Sequence, residues 1–574
     1  MHVSRFLVRL ATLLLLMVGA IAVPVMAAAQ ADLRCEQFPE TGQESCDAFL
    51  SYWEHNGGLP VFGMPLTAEF SELSADTLAQ QEVQYYERER FELHPENEGT
   101  PYIVLLGRLG VDLLAFNGID WMSLPKASPN DAHYMANTGQ AIAPEFWKYW
   151  SSHGLDFGDA GVSFRESLAL FGFPVTPTEL ETNADGDTVL TQWYERARFE
   201  LHDDGTVLLG RLGAAMNESD GQFAIRVQLE FETAMQLAFD DHEARGTVAS
   251  VQVPGVGEWF HSIGQANPDT GTPYTRDTHH RIGSVTKTFT GTMVLQLVDQ
   301  ELLDLDATVD QWFDGMPNGD QITVRMLLNM TSGLADFTVD QVWLEALFAD
   351  PYKVWAPEAA VEWVEGQPVL FEPGEGWNYS NPGTIMLGLI IEDVTGKPIR
   401  TVLQEQVLDP LGMDNTSFPE NDDVLIPEPY ARGVTRDIVT GEQRDATNWN
   451  PSWGWTAGQM ISTLEDLQIW ARALGTGELL SAELIAERDT WVPVVPLYSY
   501  GLGIANFDGW VGHNGAIPGY NSDNWYRTDL DATILVFANS ETMSEETNTL
   551  PADAVFNGLR TILNREYQLP SATQ

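Results

Sequence analysis

The chain contains one sequence pattern twice, between about residues 36 and 215. Both copies carry, in the same order, the segments Tyr-Trp, Phe-Gly-x-Pro, Gln-x-Tyr-Glu-Arg, Arg-Phe-Glu-Leu-His and Gly-Arg-Leu-Gly. The Gln-x-Tyr-Glu-Arg segment, for example, begins at Gln84 in the first copy and at Gln192 in the second. So many matches in one order indicate a tandem duplication, and the first part of the chain must fold as two related units.

The composition of the repeat predicts the kind of unit. Aromatic residues punctuated by glycine and proline indicate small α+β units of short helix and strand with tight turns, at residues 32–120 and 121–220. The Phe-Gly-Phe-Pro core resembles short repeats of some bacterial cell-wall-associated proteins. Two interpretations stay open. The Tyr, Trp, Glu and Arg side chains form the core and an internal ion pair of each unit, or the aromatic faces stack on sugars as a wall- or glycan-binding module.

The N-terminal residues have the pattern of a secretory signal. Arg5 and Arg9 precede an apolar run, Leu10 to Val23, and small residues then lead to an Ala-Gln-Ala cleavage site at 29–31. We therefore predict a signal peptide at residues 1–31 and a protein that is secreted, periplasmic or held at the cell surface. An uncleaved membrane anchor is the alternative, but the run is short for a span and Pro24 ends it. No later stretch is long enough, so we expect no stable span after cleavage.

Cysteine count and charge narrow the function classes. Cys35 and Cys46 are the only cysteines of the 574 residues, and in an exported protein such a pair predicts a local disulfide. Two cysteines cannot make a four-ligand metal site, and we predict neither a metal nor a cofactor. The formal net charge of −54 disfavours nucleic acid and anionic membranes as partners. The acidic residues are spread along the chain, which is typical of a soluble surface.

The sequence changes character from about residue 222. Gln228 to Arg245 has the periodicity of an amphipathic helix that Gly246 would end. Val248–Val253 and Trp259–Gly264 read as strands around a turn, and helices and strands alternate to the C-terminus. We therefore predict an α/β or α+β domain over residues 221–574.

One segment of this domain has the spacing of a serine nucleophile and its activator. Ser284 and Lys287 open an apolar-periodic helix, and residues three apart lie on one helical face. A lysine accepts the serine proton only when it is neutral, and burial at a helix N-terminus lowers its pKa in that direction. Gly283 leaves room for a close backbone approach. Alone, the Ser-x-x-Lys spacing is weak evidence for a nucleophile, because an ordinary helix with a solvated lysine can show the same pattern.

Two further elements follow in chain order. Tyr379 and Asn381, two residues apart in a loop, bring a phenol and an amide toward one cleft. His513 supplies a cation or a donor at a strand edge, and Gly515 lets a substrate lie against the backbone there.

Taken together, Ser-x-x-Lys, Tyr-x-Asn and His-x-Gly resemble the three signature elements of the serine D-alanyl-D-alanine carboxypeptidases and class C β-lactamases. The resemblance covers about residues 222–566 and extends to neighbouring segments such as Thr331-Ser332-Gly333-Leu334. It implies a serine β-lactamase/transpeptidase-like α/β (α+β) fold, with an antiparallel sheet flanked by helices and an all-helical region.

The resemblance also implies roles for individual residues. Ser284 attacks a carbonyl to form an acyl-enzyme, and Lys287 and Tyr379 share the proton transfer, with the identity of the general base left open. Asn381 hydrogen-bonds the substrate amide, and His513 stands where β-lactamases usually have lysine. The backbone N–H groups of Ser284 and Ala516 form the oxyanion hole. Trp453 is either a cleft aromatic or a core residue.

Three functions remain in competition. The first is a D-alanyl-D-alanine carboxypeptidase-like hydrolase that acts on peptidoglycan peptides, with the repeats holding it at the wall. The second is an esterase, β-lactamase or D-aminopeptidase of the same fold. The third is an inert hydrolase domain whose repeats carry the function. A Gly-x-Ser-x-Gly elbow and a His-Glu-x-x-His motif are both absent from the sequence, which disfavours an α/β-hydrolase and a metallohydrolase.

Overall fold

A computed structural model describes residues 34–158, 160–219 and 221–569. The predicted signal peptide, residues 1–31, lies outside these residues and stays a prediction. Two compact units meet in the chain between Thr233 and Ala234. Among the described residues, every helix is too short or too polar to cross a bilayer.

The N-terminal unit is built of short strands and short helices. Its strands are β1 Cys35–Phe38, β2 Gln43–Cys46, β3 Phe70–Leu73, β4 Gln80–Tyr85, β5 Arg90–Leu93, β6 Val104–Leu106, β7 Tyr134–Met135, β8 Gln140–Ala141, β9 Glu179–Thr182, β10 Thr188–Trp193, β11 Arg198–Leu201 and β12 Val207–Leu209. Its helices are α1 Asp47–His55, α2 Gly58–Phe62, α3 Leu109–Phe116, α4 Pro144–Trp150, α5 Phe164–Phe171 and α6 Leu212–Asn217. A disulfide joins Cys35 to Cys46 across the β1–β2 pair.

The two copies of the repeat form two matching sheets. Strands β3 to β6 and strands β9 to β12 each make a four-stranded antiparallel sheet in sequence order. The register is also shared, since Gln84 faces Phe91 in one sheet and Gln192 faces Phe199 in the other. Phe91 and Phe199 are fully buried in one common core. These two rings fill the core. The glycan-binding role, which the faces of the Trp and Tyr residues suggested, stays a prediction.

The charged residues of the motif form internal ion pairs. Arg90 contacts Glu92 at 2.6 Å and Glu72 at 3.0 Å, and all three side chains are largely buried. In the second copy Arg198 pairs with Glu200. Two partners for one buried guanidinium satisfy its donors, which offsets part of the cost of its desolvation.

The Gly-Arg-Leu-Gly segments dock each copy on the other. A Cβ at Gly110 would lie 2.1 Å from the carbonyl oxygen of Tyr194, and a Cβ at Gly213 would lie 1.9 Å from that of Tyr86. The amide of Ala214 donates to the carbonyl of Glu87 at 2.9 Å. Only glycine allows these close approaches. Each copy therefore packs on the backbone of the other, and the two copies form one unit.

We predict that Gly213→Ala destabilises the N-terminal unit, because the added methyl must displace the backbone at Tyr86. The expected loss is about 1–3 kcal/mol of unfolding free energy, measured by thermal unfolding followed by circular dichroism. Gly366→Ala is the control, since the nearest atom to its Cβ would be 3.5 Å away. Equal unfolding curves for the two variants would contradict the docking role of Gly213.

The second unit contains the larger elements. Its strands are β13 Gly246–Val253, β14 Gly257–Gly264, β15 His280–Arg281, β16 Val434–Arg436, β17 Gln443–Asp445, β18 Ile461–Ser462, β19 Val492–Val495, β20 Tyr498–Tyr500, β21 Ala505–Phe507, β22 Trp510–Ile517, β23 Tyr520–Arg527 and β24 Ala532–Ala538. Its helices are α7 Ile225–Asp240, which carries the boundary, α8 Thr286–Asp299, α9 Val324–Leu328, α10 Gln341–Ala349, α11 Glu358–Glu365, α12 Asn381–Thr395, α13 Ile399–Leu403, α14 Asp409–Leu411, α15 Leu464–Thr476, α16 Ala482–Arg488 and α17 Pro551–Glu566.

An eight-stranded antiparallel sheet organises this unit, in the order β14-β13-β24-β23-β22-β21-β20-β19. Helix α8 is buried on nearly every side, as expected of a central helix, and Phe289 on it stacks on Trp470 at 3.9 Å. Helices α9 to α14 lie between β15 and β16 in the chain and form the all-helical region. The predicted fold class is therefore confirmed.

One boundary differs from the sequence expectation. Helix α7 ends at Asp240, not Arg245, and Gly246 begins strand β13. The ring of His242 explains the early end, since its two nitrogens lie 2.6 Å from the carbonyl of Ala238 and 2.9 Å from that of Thr549. These contacts hold residues 241–245 as a turn into the sheet.

Candidate active site

The turn that carries Ser284 lies directly on strand β22. Ser284 is in the single 3₁₀ turn Gly283–Val285 that leads into helix α8. Gly283 has φ +51°, and a Cβ there would be 2.9 Å from the amide nitrogen of Ala516. A Cβ at Gly515 would lie 2.0 Å from the carbonyl of Ile282 and 2.9 Å from the amide nitrogen of Ser284. The two glycines therefore bring the predicted oxyanion-hole amides together, and the space at Gly515 is taken by the nucleophile turn.

The Lys287 side chain is the hub of the site. Its Nζ donates to Ser284 Oγ at 3.0 Å, to Asn381 Oδ1 at 2.7 Å and to the carbonyl of Ala457 at 2.8 Å. The side chain is 1% exposed. Burial lowers the pKa of Lys287 to about 7, although the carboxyl of Asp336 acts in the opposite direction. A large fraction of the amine is therefore neutral near pH 7, as a general base requires.

Asn381 connects Lys287 to a buried carboxyl. It begins helix α12, and its Nδ2 donates to both oxygens of Asp336, at 3.2 and 3.0 Å. Thr338 donates to Asp336 through its backbone amide and its hydroxyl. Burial raises the pKa of Asp336 above its usual value. With both ends of its amide engaged, Asn381 fixes the direction in which the lysine points.

Tyr379 lies against the lysine. Its ring centroid is 4.8 Å from Lys287 Nζ. Burial raises the pKa of Tyr379 well above its usual value, while a hydrogen bond with Ser284 acts in the opposite direction. The phenol is therefore protonated at neutral pH in the resting site and offers a proton near the serine.

His513 is neutral and internally bonded. Its Nδ1 faces the carbonyl of Asn514, and its Nε2 lies 3.0 Å from the hydroxyl of Tyr500. Burial first, and then the charge of Lys287, lower the pKa of His513 to about 3. The imidazole therefore brings no positive charge to the site at neutral pH, and its Nδ1–H is directed at the backbone.

A cavity of about 1100 Å³ opens beside Ser284, and its lining combines aromatic side chains with many carboxyl groups. Trp453 lines it and packs edge-on against Trp343 at 5.4 Å and Phe337 at 6.4 Å, so this residue is a cleft aromatic and a packing residue at once. Eight aspartates and glutamates line the cavity, whereas Arg436 is the one Arg or Lys among the described residues that do. Arg436 is paired with Glu243.

The structure brings every predicted catalytic and substrate-binding residue to this one region. Sequence reasoning missed Asp336 and the role of Tyr500, whose side chains contact Asn381 and His513 respectively. Asp336 follows Thr331-Ser332-Gly333-Leu334 by two residues, and that position was the available signal. Tyr500 lies in the segment Tyr500-Gly501-Leu502-Gly503, which is also part of the family resemblance, but its contact with His513 depends on β20 lying near β22 in the sheet.

The sheet, the buried helix and the Ser-Lys-Tyr arrangement define a serine penicillin-recognising hydrolase fold. The Beta-lactamase family matches residues 229–556, more than half of the chain, and the chain belongs to that family.

Several characterised proteins are similar to this domain. Penicillin-binding protein 4* of Bacillus subtilis is 27% identical over 55% of this chain and 72% of its own length, and a D-aminopeptidase of Brucella anthropi is 30% identical over 54% and 60%. Among solved structures, a D-stereospecific amidohydrolase from Streptomyces sp. is 30% identical, with a TM-score of 0.51 over 56% of this chain and 96% of its own. D-amino acid amidase from Ochrobactrum anthropi SV3 is 29% identical, with a TM-score of 0.51 over 59% and 99%.

We predict that Asp336 sets the pH dependence of the site. The rate of acylation should rise with pH through about 7, as Lys287 loses its proton. Asp336→Asn removes a charge that favours the protonated lysine, so the midpoint of kcat/KM against pH should shift to lower pH.

The measurement is kcat/KM for 4-nitrophenyl acetate across the neutral pH range. Asp350→Asn, which removes an exposed carboxylate, is the control and should leave the midpoint unchanged. A midpoint that stays in place or moves upward in Asp336→Asn would exclude this coupling.

Proposed function

We propose that the second unit is a serine hydrolase that cleaves amide or peptide bonds through an acyl-enzyme, with Ser284 as nucleophile and Lys287 as general base. The observation that carries this is the buried amine of Lys287, 3.0 Å from Ser284 Oγ and with its pKa lowered to about 7. A neutral amine at that distance can take the hydroxyl proton as the oxygen attacks.

The proton then has a defined path. Ser284 Oγ forms a bond to the carbonyl carbon, its proton passes to Lys287, and the backbone amides of Ser284 and Ala516 hold the oxyanion. As the C–N bond breaks, the leaving amine takes the proton from Lys287, with the phenol of Tyr379 beside the lysine as a second proton donor. Water then attacks the acyl-enzyme with the same groups acting in reverse.

For the substrate we favour amides and short peptides of D-amino acids with a free amino group, in the manner of a D-aminopeptidase or D-amino acid amidase. We infer the D-configuration from the similarity to a D-aminopeptidase, a D-stereospecific amidohydrolase and a D-amino acid amidase. We infer the free amino group from the charge of the cleft, because the exposed carboxylates of Glu545 and Glu546 in its lining and a neutral His513 attract a cation and repel the free carboxylate of a D-alanyl-D-alanine terminus.

The carboxypeptidase function is the second candidate. It is favoured by the intact Ser-x-x-Lys, Tyr-x-Asn and His-x-Gly elements and by the similarity to penicillin-binding proteins. An esterase of the same family is represented among the relatives by Esterase EstB of Burkholderia gladioli, 28% identical over 38% of this chain and 56% of its own length. Export rests on residues 1–31, and attachment to the wall through the repeats is a further proposal.

One experiment separates these functions. The purified protein is incubated with D-alanine amide, L-alanine amide and an Nα-acylated D-Ala-D-Ala peptide, and labelling by a fluorescent penicillin is measured in parallel. We expect labelling, with release of ammonia from the D-amide faster than from the L-amide. Ser284→Ala should lower turnover by at least about a thousandfold.

Ser544→Ala is the matched control, since Ser544 lines the same cavity and accepts hydrogen bonds from the backbone amides of Glu546 and Thr547. Release of D-alanine from the acylated peptide without cleavage of the D-amide would establish the carboxypeptidase instead. If the protein is not labelled and turns over none of these substrates, the hydrolase proposal is wrong.

A further inference from the structure

Helix α10 lines one side of the catalytic cavity with apolar side chains. Trp343, Leu344, Leu347 and Phe348 all face it, and residues at these spacings share one face of a helix. Each side chain is 9% exposed or less, so the helix presents a packed surface to the cavity. From Trp343 to Phe348 this surface is about 7.5 Å long, at 1.5 Å of helix per residue.

The apolar lining reaches the surroundings of the nucleophile through Trp453. Its ring packs edge-on against Trp343 at 5.4 Å. Further along the same loop, Gly458 lies against the nucleophile turn, since a Cβ on it would be 3.7 Å from the carbonyl carbon of Gly283. Trp453, Trp343 and Gly458 all line the cavity that contains Ser284. The aromatic surface therefore continues from the neighbourhood of Ser284 to helix α10.

The end of strand β22 adds apolar groups on the side of the proposed oxyanion hole. Ile517 and Pro518 follow Ala516 directly in the chain and line the same cavity. An acyl group whose carbonyl oxygen is held by the amide of Ala516 would therefore have an apolar surface around its side chain. We call the following set of lining residues the apolar wall: Val339, Trp343, Leu347, Phe348 and Trp453.

Polar residues beside the apolar wall are already hydrogen-bonded. Asp336 accepts from Asn381 and from Thr338, and Asn378 Nδ2 donates to two backbone carbonyls. A polar side chain that moved against the wall would lose its water and gain no partner from the wall itself, which costs free energy. An apolar side chain gains free energy from the same loss of water.

We propose that the apolar wall is the subsite for a large apolar side chain on the acyl group that Ser284 receives. The inference rests on the proposed hydrolase function and names the class of side chain that its substrate carries. D-residues with long apolar side chains are then cleaved faster than D-alanine, whose methyl group reaches little of the wall. A D-alanyl-D-alanine terminus would leave most of this surface uncovered.

The test varies the acyl group and keeps the leaving group constant. 4-Nitrophenyl acetate and 4-nitrophenyl hexanoate are compared as substrates of the full-length protein, each corrected for its rate of hydrolysis in buffer. We expect kcat/KM for the hexanoate to be at least about tenfold higher, since each added methylene that is buried contributes up to about fourfold. D-Norleucine amide should likewise be cleaved at least about tenfold faster than D-alanine amide.

Two valines provide a matched pair of variants. Val339 is a lining residue, 38% exposed, and Val339→Asn places an amide of similar size on the apolar wall. It should lower the ratio of hexanoate to acetate kcat/KM at least about threefold. Val342, on the neighbouring helix α10, is 75% exposed, and Val342→Asn should leave the ratio unchanged. Trp453→Ala removes the ring next to the nucleophile turn and should lower the ratio about tenfold.

Each outcome has one meaning. Equal kcat/KM for the two esters in the wild-type protein overturns the subsite without recourse to any variant. An equal fall of the ratio in Val339→Asn and Val342→Asn also overturns it, because the preference would then not depend on the wall. A preference for hexanoate without one for D-norleucine amide would overturn the assignment of the wall to the side chain of a D-residue. Absence of ester and amide turnover that depends on Ser284 would instead be a failure of the proposed hydrolase function.

Discussion

The catalytic region depends on the burial of one amine. Lys287 lies in a helix that is enclosed on nearly every side, and its nitrogen is held by a serine hydroxyl, an amide oxygen and a backbone carbonyl. Burial removes water from the charged form and lowers the lysine pKa toward neutrality, which turns a strongly basic group into one that can exchange a proton at physiological pH. The close packing of α8 and β22, permitted by Gly283 and Gly515, is what makes that burial possible.

The charge of the cleft is the second constraint. His513 stands where the resemblance to β-lactamases implies a lysine, yet burial lowers its pKa and keeps it neutral, with its two ring nitrogens in internal contacts. The one arginine that lines the cavity is paired. The exposed carboxylates of the lining, Glu545 and Glu546, therefore face neither a charged His513 nor an unpaired arginine among the described lining residues.

The N-terminal unit shows how a duplication becomes one structure. Each copy supplies a four-stranded sheet, but the aromatic residues of the two copies share a core, and each Gly-Arg-Leu-Gly segment packs on the backbone of the other copy. A single copy would therefore expose apolar core residues and the backbone that the Gly-Arg-Leu-Gly segment of the other copy covers. The residues that first suggested sugar stacking are largely occupied in this packing, and any glycan surface would have to be built from other side chains.

The sequence by itself revealed the duplication and the hydrolase class, and it predicted the site residues Ser284, Lys287, Tyr379, Asn381 and His513, because each motif is a set of residue types at a fixed local spacing. It also predicted strands β13 and β14 and the helix that Ser284 and Lys287 open, although not where α7 ends, since the contact of His242 with Thr549 joins distant parts of the chain. Only the tertiary structure decided the protonation of His513, the support of Asn381 by Asp336 and the meeting of Trp343 with Trp453. Each of these depends on residues that are far apart in the chain and on the water that folding removes from around them.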